Sequence, residues 1–176
     1  MLGLSIKGII RESIRSFRGA ILVVVQSMGL WDGKQFRQYF PFTGATQLQF
    51  VCARDFILTR QLLYVDDGLA QVRVLTGATP AGTFTNTESQ AAKNRLGTVT
   101  YVQQNFMKSG GTFTGGTERE LFRADSGAGV GIAFLNVEDN ARVLPAGTYY
   151  FDITVTGITG GIYSFEWEEL STVNGV

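Results

Sequence analysis

Chemistry in this chain would have to come from carboxylates, because the sequence has no histidine and a single cysteine, Cys52. Hydrolase triads and most general acid–base sites use histidine, and zinc sites of the Cys/His type need several such ligands. The closely spaced carboxylates are Asp66 and Asp67, Glu138 and Asp139, and Glu166, Glu168 and Glu169. Adjacent strand residues point to opposite faces, so neighbouring acids do not form a two-carboxylate site. We therefore predict no catalytic residues and no enzymatic activity.

Calcium is the metal that these oxygen ligands would suit. The candidate ligands are Asp66, Asp67, Asp125 and Asp139. None of them lies in a loop with the spacing of an EF-hand, and turn formation explains them more simply. We predict no metal site and no cofactor, and keep calcium as the alternative.

Other chemistries fail on sequence context. Residues 127–131 (GAGVG) are rich in glycine, but they lack the Lys-Ser/Thr ending of a phosphate loop and precede a predicted strand rather than a helix. Basic and aromatic residues alternate at 34–40 and 50–60, yet 15 basic and 15 acidic side chains cancel over the whole chain. We predict no nucleic-acid partner. Cys52 falls on the apolar face of the segment 47–53, where a buried, inert thiol is expected.

The elements that position these residues are predicted to be strands. The chain has 176 residues, of which 44% are hydrophobic and only 17% charged, with 22 glycines. That composition favours one all-β domain with many turns. Period-two or β-branched runs predict strands, and loops are expected at 76–86 and 108–117, with a turn of helix within 88–95. The predicted strands are 21–25, 34–40, 47–53, 56–65, 71–75, 98–106, a short one around 121–122, and 131–137.

The clearest pattern covers residues 144–169. Large apolar side chains alternate with polar ones in two runs joined by a glycine-rich loop. The apolar members are Tyr149, Phe151, Ile153 and Val155 in the first run, and Tyr163, Phe165 and Trp167 in the second. We expect an antiparallel hairpin with one buried face and one wet face, the wet face carrying Ser164, Glu166 and Glu168.

The N-terminal segment 2–18 differs from the rest because it is basic and amphipathic. Four apolar residues recur at helical spacing and four basic residues occupy the remaining surface, and residues 1–60 carry a net charge of +5 against −5 for residues 61–176. We predict an arm, residues 1–18, that contacts a partner. A helix packed on its own domain or on a sister subunit, a membrane-surface anchor, and a disordered arm that orders on binding are the alternatives. The predicted contact residues are Ile6, Ile10, Arg11, Ile14, Arg15, Phe17 and Arg18.

No membrane association or export is expected from the remaining features. Lys7 and Arg11 interrupt the apolar start of the chain, no cleavage site follows it, and no run is long enough to cross a bilayer. We predict a soluble protein made in the cytoplasm. With eight to ten strands expected, the favoured fold is all-β: a jelly-roll-like antiparallel β-sandwich, residues 19–176, behind a helical or extended N-terminal arm.

Six short motifs follow one another in an order that can be compared with known protein families. They are Gly33-Lys34-Gln35-Phe36, the segment 70–79 (AQVRVLTGAT), Lys93-Asn94-Arg95, Thr117-Glu118, the strand start 144–150 (LPAGTYY) and the strand end 165–169 (FEWEE). Over about residues 30–170 this order resembles small virion proteins of tailed bacteriophages, which are head decoration or cement subunits.

The resemblance implies a jelly-roll fold and a structural role. Such a protein would be a homo-oligomer, a dimer or trimer, clamped across the joints between subunits of the major capsid protein on the capsid exterior. Its expected partners are therefore the major capsid protein and itself, with no nucleic acid and no membrane. The alternative is a receptor- or carbohydrate-binding module of a phage tail or fibre that uses exposed Tyr and Trp side chains.

Overall fold

The computed structural model describes residues 33–87, 91–92, 101–126, 131–136, 142–157 and 160–170. These residues form fourteen strands and no helix. The predicted arm, the predicted strand at 21–25 and most of the segment 88–95 lie outside the described residues. The strands are β1 (Gln35–Phe42), β2 (Thr46–Cys52), β3 (Phe56–Val65), β4 (Leu69–Thr76), β5 (Thr79–Ala81), β6 (Thr85–Asn86), β7 (Ala91–Ala92), β8 (Asn105–Ser109), β9 (Thr112–Thr114), β10 (Thr117–Asp125), β11 (Gly131–Asn136), β12 (Arg142–Leu144), β13 (Gly147–Thr156) and β14 (Gly161–Glu169).

Two large antiparallel sheets face each other. The first sheet has the order β11-β3-β14-β1-β7, and β12 also pairs with β3. The second sheet has the order β10-β4-β13-β2-β8-β6. Strands β5 and β9, which are not consecutive in the sequence, form a small two-stranded antiparallel sheet, called the flap below, which packs on the outside of the second sheet.

The pairing is that of a jelly roll. Eight strands have six residues or more: β1, β2, β3, β4, β10, β11, β13 and β14. Counted among these eight, strands equally far from the two ends of the fold pair with each other: β1 with β14, β2 with β13, β3 with β11 and β4 with β10. Strands β14 and β13 then also pair with β3 and β4. A long antiparallel ladder that rolls up on itself gives this arrangement, with successive strands in alternate sheets. The fold class predicted from the sequence is confirmed.

Aromatic side chains fill the space between the sheets. Phe50 of the second sheet lies edge-on to Phe165 and Trp167 of the first, with ring centroids 5.0 and 4.9 Å apart. Such edge-to-face contacts match the positive ring edge to the negative ring face. The predicted alternation in β13 is confirmed, because Tyr149 and Ile153 are also buried in this core.

The predicted hairpin between the last two strands is wrong. Strand β13 lies in the second sheet and β14 in the first, so the turn between them crosses from sheet to sheet. Their apolar faces cover each other across the core, where Phe151 contacts Phe165 at 5.2 Å and Tyr163 at 5.8 Å between centroids. Packing face to face buries both apolar rows, whereas pairing edge to edge would leave each row in need of another cover.

The predicted wet face of β14 is also wrong. Ser164 and Glu166 are each 2% exposed, and Glu168 is 8% exposed. Long side chains of the neighbouring strands surround the two carboxylates: Arg37 lies against Glu166, and Gln35 donates a hydrogen bond to Glu168. Cross-strand ion pairing and hydrogen bonding thus make burial of these acids possible.

One strand is displaced from its predicted position. Of the strand expected at 98–106, residues 98–100 lie outside the described residues, residues 101–104 are irregular, and β8 begins at Asn105. The buried carboxylate of Glu169 accepts hydrogen bonds from the backbone amides of Gln104 and Asn105, which competes with ladder pairing there. Strands β1, β2, β3, β4, β11, β13 and β14 agree with the prediction, and β12 lies where no strand was expected. The turn of helix expected within 88–95 is wrong for the described residues there, because Ala91 and Ala92 form β7 and pair with β1. β10 is longer than expected, and the two predicted loops contain β5, β6 and β9.

Substitution of Trp167 by alanine tests the packing between the sheets. The side chain is fully buried between Phe36 and Phe50, so we expect Trp167→Ala to lower the free energy of unfolding by roughly 3–5 kcal/mol. Urea denaturation followed by circular dichroism measures this. Leu121→Ala is the control, because Leu121 is 51% exposed and its loss should change the midpoint little. Equal midpoints for the two variants would contradict the packing described.

Candidate interaction surfaces

The outer face of the first sheet carries a group of apolar side chains at one end. Two adjacent rows cross strands β1, β14 and β3 there. In the first row Ile162 pairs with both Pro41 and Tyr64, and in the second Ser164 pairs with Tyr39 and Leu62. Tyr39 is 45% exposed and Ile162 is 40% exposed. We call the following set the apolar outer face: Tyr39, Pro41, Leu62, Tyr64 and Ile162.

A charged row borders the apolar outer face. Arg37 Nε lies 2.7 Å from Glu166 Oε1, and Arg60 approaches the same oxygen at 3.7 Å. Arg37 also donates a hydrogen bond of 2.7 Å to the Tyr39 hydroxyl and lies 5.3 Å from the centre of its ring. The Arg37 guanidinium therefore holds the exposed Tyr39 ring in place and separates the apolar rows from the polar end of the sheet.

The outer face of the second sheet is mostly polar, although Leu121, which pairs with Arg73, is exposed there. Arg73 forms an ion pair with Glu118 at 2.9 Å and reaches Asp152 at 3.6 Å. Asp152 accepts a hydrogen bond from the Gln47 amide, and the Gln47 carbonyl accepts one from the backbone amide of Phe113. This chain of contacts connects β10, β4, β13 and β2 to the flap.

An open cleft of about 420 Å³ lies where the flap meets the second sheet. The flap is held by Phe113, whose ring packs on Tyr150 with centroids 4.9 Å apart. The side chains of Gln47 and Asp152 in the cleft wall already bond to each other, and no lining residue is aromatic. The cleft is lined by Ala45, Thr46, Gln47, Gly110, Gly111, Thr112 and Asp152.

The carboxylate of Glu169 has a structural role. It is fully buried and accepts hydrogen bonds from the Tyr101 hydroxyl at 2.7 Å, from the amides of Gln104 and Asn105 at 3.0 and 2.8 Å, and from the Trp167 indole at 3.4 Å. These donors compensate the cost of burying the charge. Glu169 thereby fixes the segment before β8 to the end of β14.

Two of the other carboxylates considered as ligands take part in hydrogen bonds or ion pairs within the protein. Asp67 accepts hydrogen bonds from Gly68 and Ser126 in a turn, and Asp125 forms an ion pair with Arg123. Among the described residues no group of three or more His, Cys, Asp or Glu side chains could hold a metal ion. Glu138 and Asp139 lie outside the described residues. So do all the predicted contact residues of the arm: Ile6, Ile10, Arg11, Ile14, Arg15, Phe17 and Arg18.

Cys52 is buried, as predicted. Burial and, to a lesser degree, the negative charge of Glu169 raise the pKa of the Cys52 thiol well above its ordinary value. A thiol held protonated in this way is a poor nucleophile.

Sequence reasoning missed the buried amides. Gln38 and Gln61 are each 1% exposed inside the sandwich, and Gln61 accepts a hydrogen bond of 2.8 Å from the Tyr163 hydroxyl. The alternation along the strands could have revealed these buried amides. Gln38 lies on the same face of β1 as Phe36, and Gln61 lies on the same face of β3 as Leu63. A polar residue at a core position of a strand needs a partner, and here Thr87 and Tyr163 supply it.

Comparison with known proteins assigns no relative: no protein-family model matches the chain, and no curated protein matches its sequence. In the described part of the chain, no helix has the length and apolar character needed to cross a membrane. The class that fold and surfaces define is therefore a jelly-roll β-sandwich with two unlike outer faces.

Alkaline pH tests the buried tyrosine. Burial and, next, the Glu120 carboxylate raise the pKa of Tyr163 well above its ordinary value, so folding favours the protonated hydroxyl. The resulting stability is complete below the unfolded-state pKa of about 10 and is lost as pH rises above it. We expect the free energy of unfolding to fall above about pH 10, and to fall less steeply in Tyr163→Phe.

Urea titrations at a series of alkaline pH values measure this slope. Leu121→Ala is the control, because Leu121 is exposed and has no titratable group, so this change should leave the slope as it is in the unmodified protein. A Tyr163→Phe variant with the slope of the unmodified protein would contradict the assignment.

Proposed function

We propose that this chain is a structural virion protein of a tailed bacteriophage that decorates and stabilises the capsid shell through oligomeric subunit contacts. The observation that carries the proposal is the contrast between the two outer faces of the sandwich. The outer face of the second sheet is mostly polar and bonded within itself, with Leu121 exposed beside Arg73. The outer face of the first sheet instead groups several apolar residues, including exposed Tyr39 and Ile162, next to an ion-paired row. Apolar surface rimmed by polar groups is typical of protein–protein interfaces.

The fold supports the same proposal. Capsid proteins are among those that use jelly rolls, and the resemblance of the sequence to decoration proteins implies the same fold. A decoration protein needs contacts that repeat around a symmetric particle, because many modest interfaces together give high avidity. On this proposal the partners are further copies of the chain and the major capsid protein, and the protein is located on the capsid exterior after synthesis in the host cytoplasm.

The proposal includes no reaction and no cofactor. The carboxylates of β14, which are the densest group in the chain, hold neighbouring strands: Glu166 pairs with Arg37, Glu168 with Gln35, and Glu169 with the segment before β8. Their contacts explain them as parts of the fold.

A receptor- or carbohydrate-binding module is the second candidate, and the cleft beside the flap is what favours it. Amide, carboxylate and hydroxyl groups of Gln47, Asp152 and Thr46 line it, and such groups can bind sugar hydroxyls. Against it, Trp167 is buried in the core and therefore unable to stack on a ligand. The free protein should bind host glycans if this candidate holds, whereas a decoration protein should bind assembled shells and no isolated sugar.

Deletion of residues 2–18 tests the assembly role. The first sheet begins at Gln35, so we expect the truncated domain to keep its melting temperature while its oligomerisation and shell binding become weaker. Four apolar side chains contribute more than screened surface ion pairs of at most about 1 kcal/mol each, so the binding that the arm provides should persist at high salt. Light scattering and co-sedimentation with shells measure the two effects.

Two further variants separate the contributions of the arm. The first variant replaces the four basic residues of the arm by glutamine and should keep most of the binding; these residues are Lys7, Arg11, Arg15 and Arg18. The second variant replaces the four apolar residues by serine and should lose as much binding as the deletion; these residues are Ile6, Ile10, Ile14 and Phe17. The role of the arm is ruled out if the truncated protein assembles as well as the full chain. It is also ruled out if the truncated protein does not fold.

A further inference from the structure

We propose that the apolar outer face is the docking site for residues 2–18 of a second copy of this chain, so that neighbouring subunits exchange arms. The inference rests on the proposed function in one respect: the oligomeric role decides that the arm comes from a neighbour and not from the same copy.

The two surfaces match in chemical character. The arm carries four apolar residues on one side of a helical period, a stripe too short to be stable as an isolated helix. The apolar outer face offers two rows that carry apolar side chains, of which Tyr39, Pro41 and Ile162 are exposed. When the arm packs on the apolar outer face, apolar surface of both is removed from water.

Charge is complementary as well. Excluding the chain terminus, residues 2–18 carry four basic side chains and one acidic side chain. At the apolar end of the first sheet, strand β3 runs into the exposed acids Asp66 and Asp67, and the Tyr64 hydroxyl of the apolar outer face interacts with the Asp66 carboxylate. The basic side of a docked arm would therefore meet acidic groups at this edge.

The place where the chain enters the sheet makes the exchange possible. The N-terminal 32 residues lie outside the described part and end immediately before β1, the strand that carries Tyr39 and Pro41. Residues 19–32 number 14, so the arm can lie at most about 45 Å from the first described residue. This reach is sufficient for the arm to cross to a neighbouring copy, and exchange of identical segments gives a closed, symmetric assembly.

Cysteine crosslinking tests the exchange directly in the full-length protein. The native Cys52 is buried, so engineered surface cysteines should react first. One variant carries Ile10→Cys in the arm and a second carries Ile162→Cys on the apolar outer face, with tags of different size. After mixing and treatment with a short bis-maleimide reagent, we expect a crosslinked heterodimer. The matched control replaces Ile162→Cys by Thr154→Cys, an exposed position on the polar face of the second sheet, and should give at least tenfold less product.

Each other outcome overturns the proposal. A crosslink formed only within single molecules of the double variant Ile10→Cys, Ile162→Cys would mean that each copy covers its own face. Ile162→Cys alone giving as much dimer as the mixture would mean that two faces pack directly together. Equal product with Thr154→Cys, or none with either, would mean that the arm does not dock on this face.

A second variant separates this inference from the proposed function. Ile162→Asp should weaken self-association about tenfold or more while circular dichroism remains unchanged, since the side chain is partly exposed. If Ile162→Asp self-associates normally but the full chain still binds shells, arm exchange fails and the decoration role survives. If the full chain binds no shells at all, the proposed function fails whatever the crosslinking result.

Discussion

The packing of Phe50 against Trp167 is the contact on which the rest of this structure depends. Phe50 projects from the second sheet and meets three aromatic rings of the first, those of Phe56, Phe165 and Trp167, at 4.9–5.2 Å between centroids. The Trp167 indole then donates a hydrogen bond to Glu169, which in turn fixes the segment before β8. This buried cluster thus aligns the two sheets and also determines where β8 begins.

An interior filled by aromatic side chains leaves the two outer faces free to differ. On the second sheet, Arg73, Asp152 and Gln47 bond to one another and to the flap, which gives a polar and self-contained surface. On the first sheet the Arg37–Glu166 pair is confined to one end, and apolar side chains occupy the other. A sandwich that has one polar face and one apolar face can expose the first to water and use the second for assembly.

The sequence predicts the fold class and the buried side of most strands, because period-two alternation is a local property. Which strands and side chains contact each other is not a local property of the sequence. The alternation of Phe151 and Phe165 is compatible with a hairpin as well as with two facing sheets, and only the complete strand order distinguishes them. Burial of Glu166 depends on Arg37, and the apolar outer face depends on the register between Tyr39 and Ser164; both pairs are far apart in the sequence. The predicted contact residues of the arm lie outside the described residues and stay predictions.

The central proposal is that this protein decorates the capsid of a tailed phage. A cryo-electron microscopy map of virions from cells that express the protein tests this proposal most directly. The account predicts density for jelly-roll subunits on the outside of the shell, repeated across the joints between major capsid subunits, with the polar face of the second sheet toward solvent. Density for this chain at the tip of a tail or fibre, or a complete particle map without it, would contradict the account.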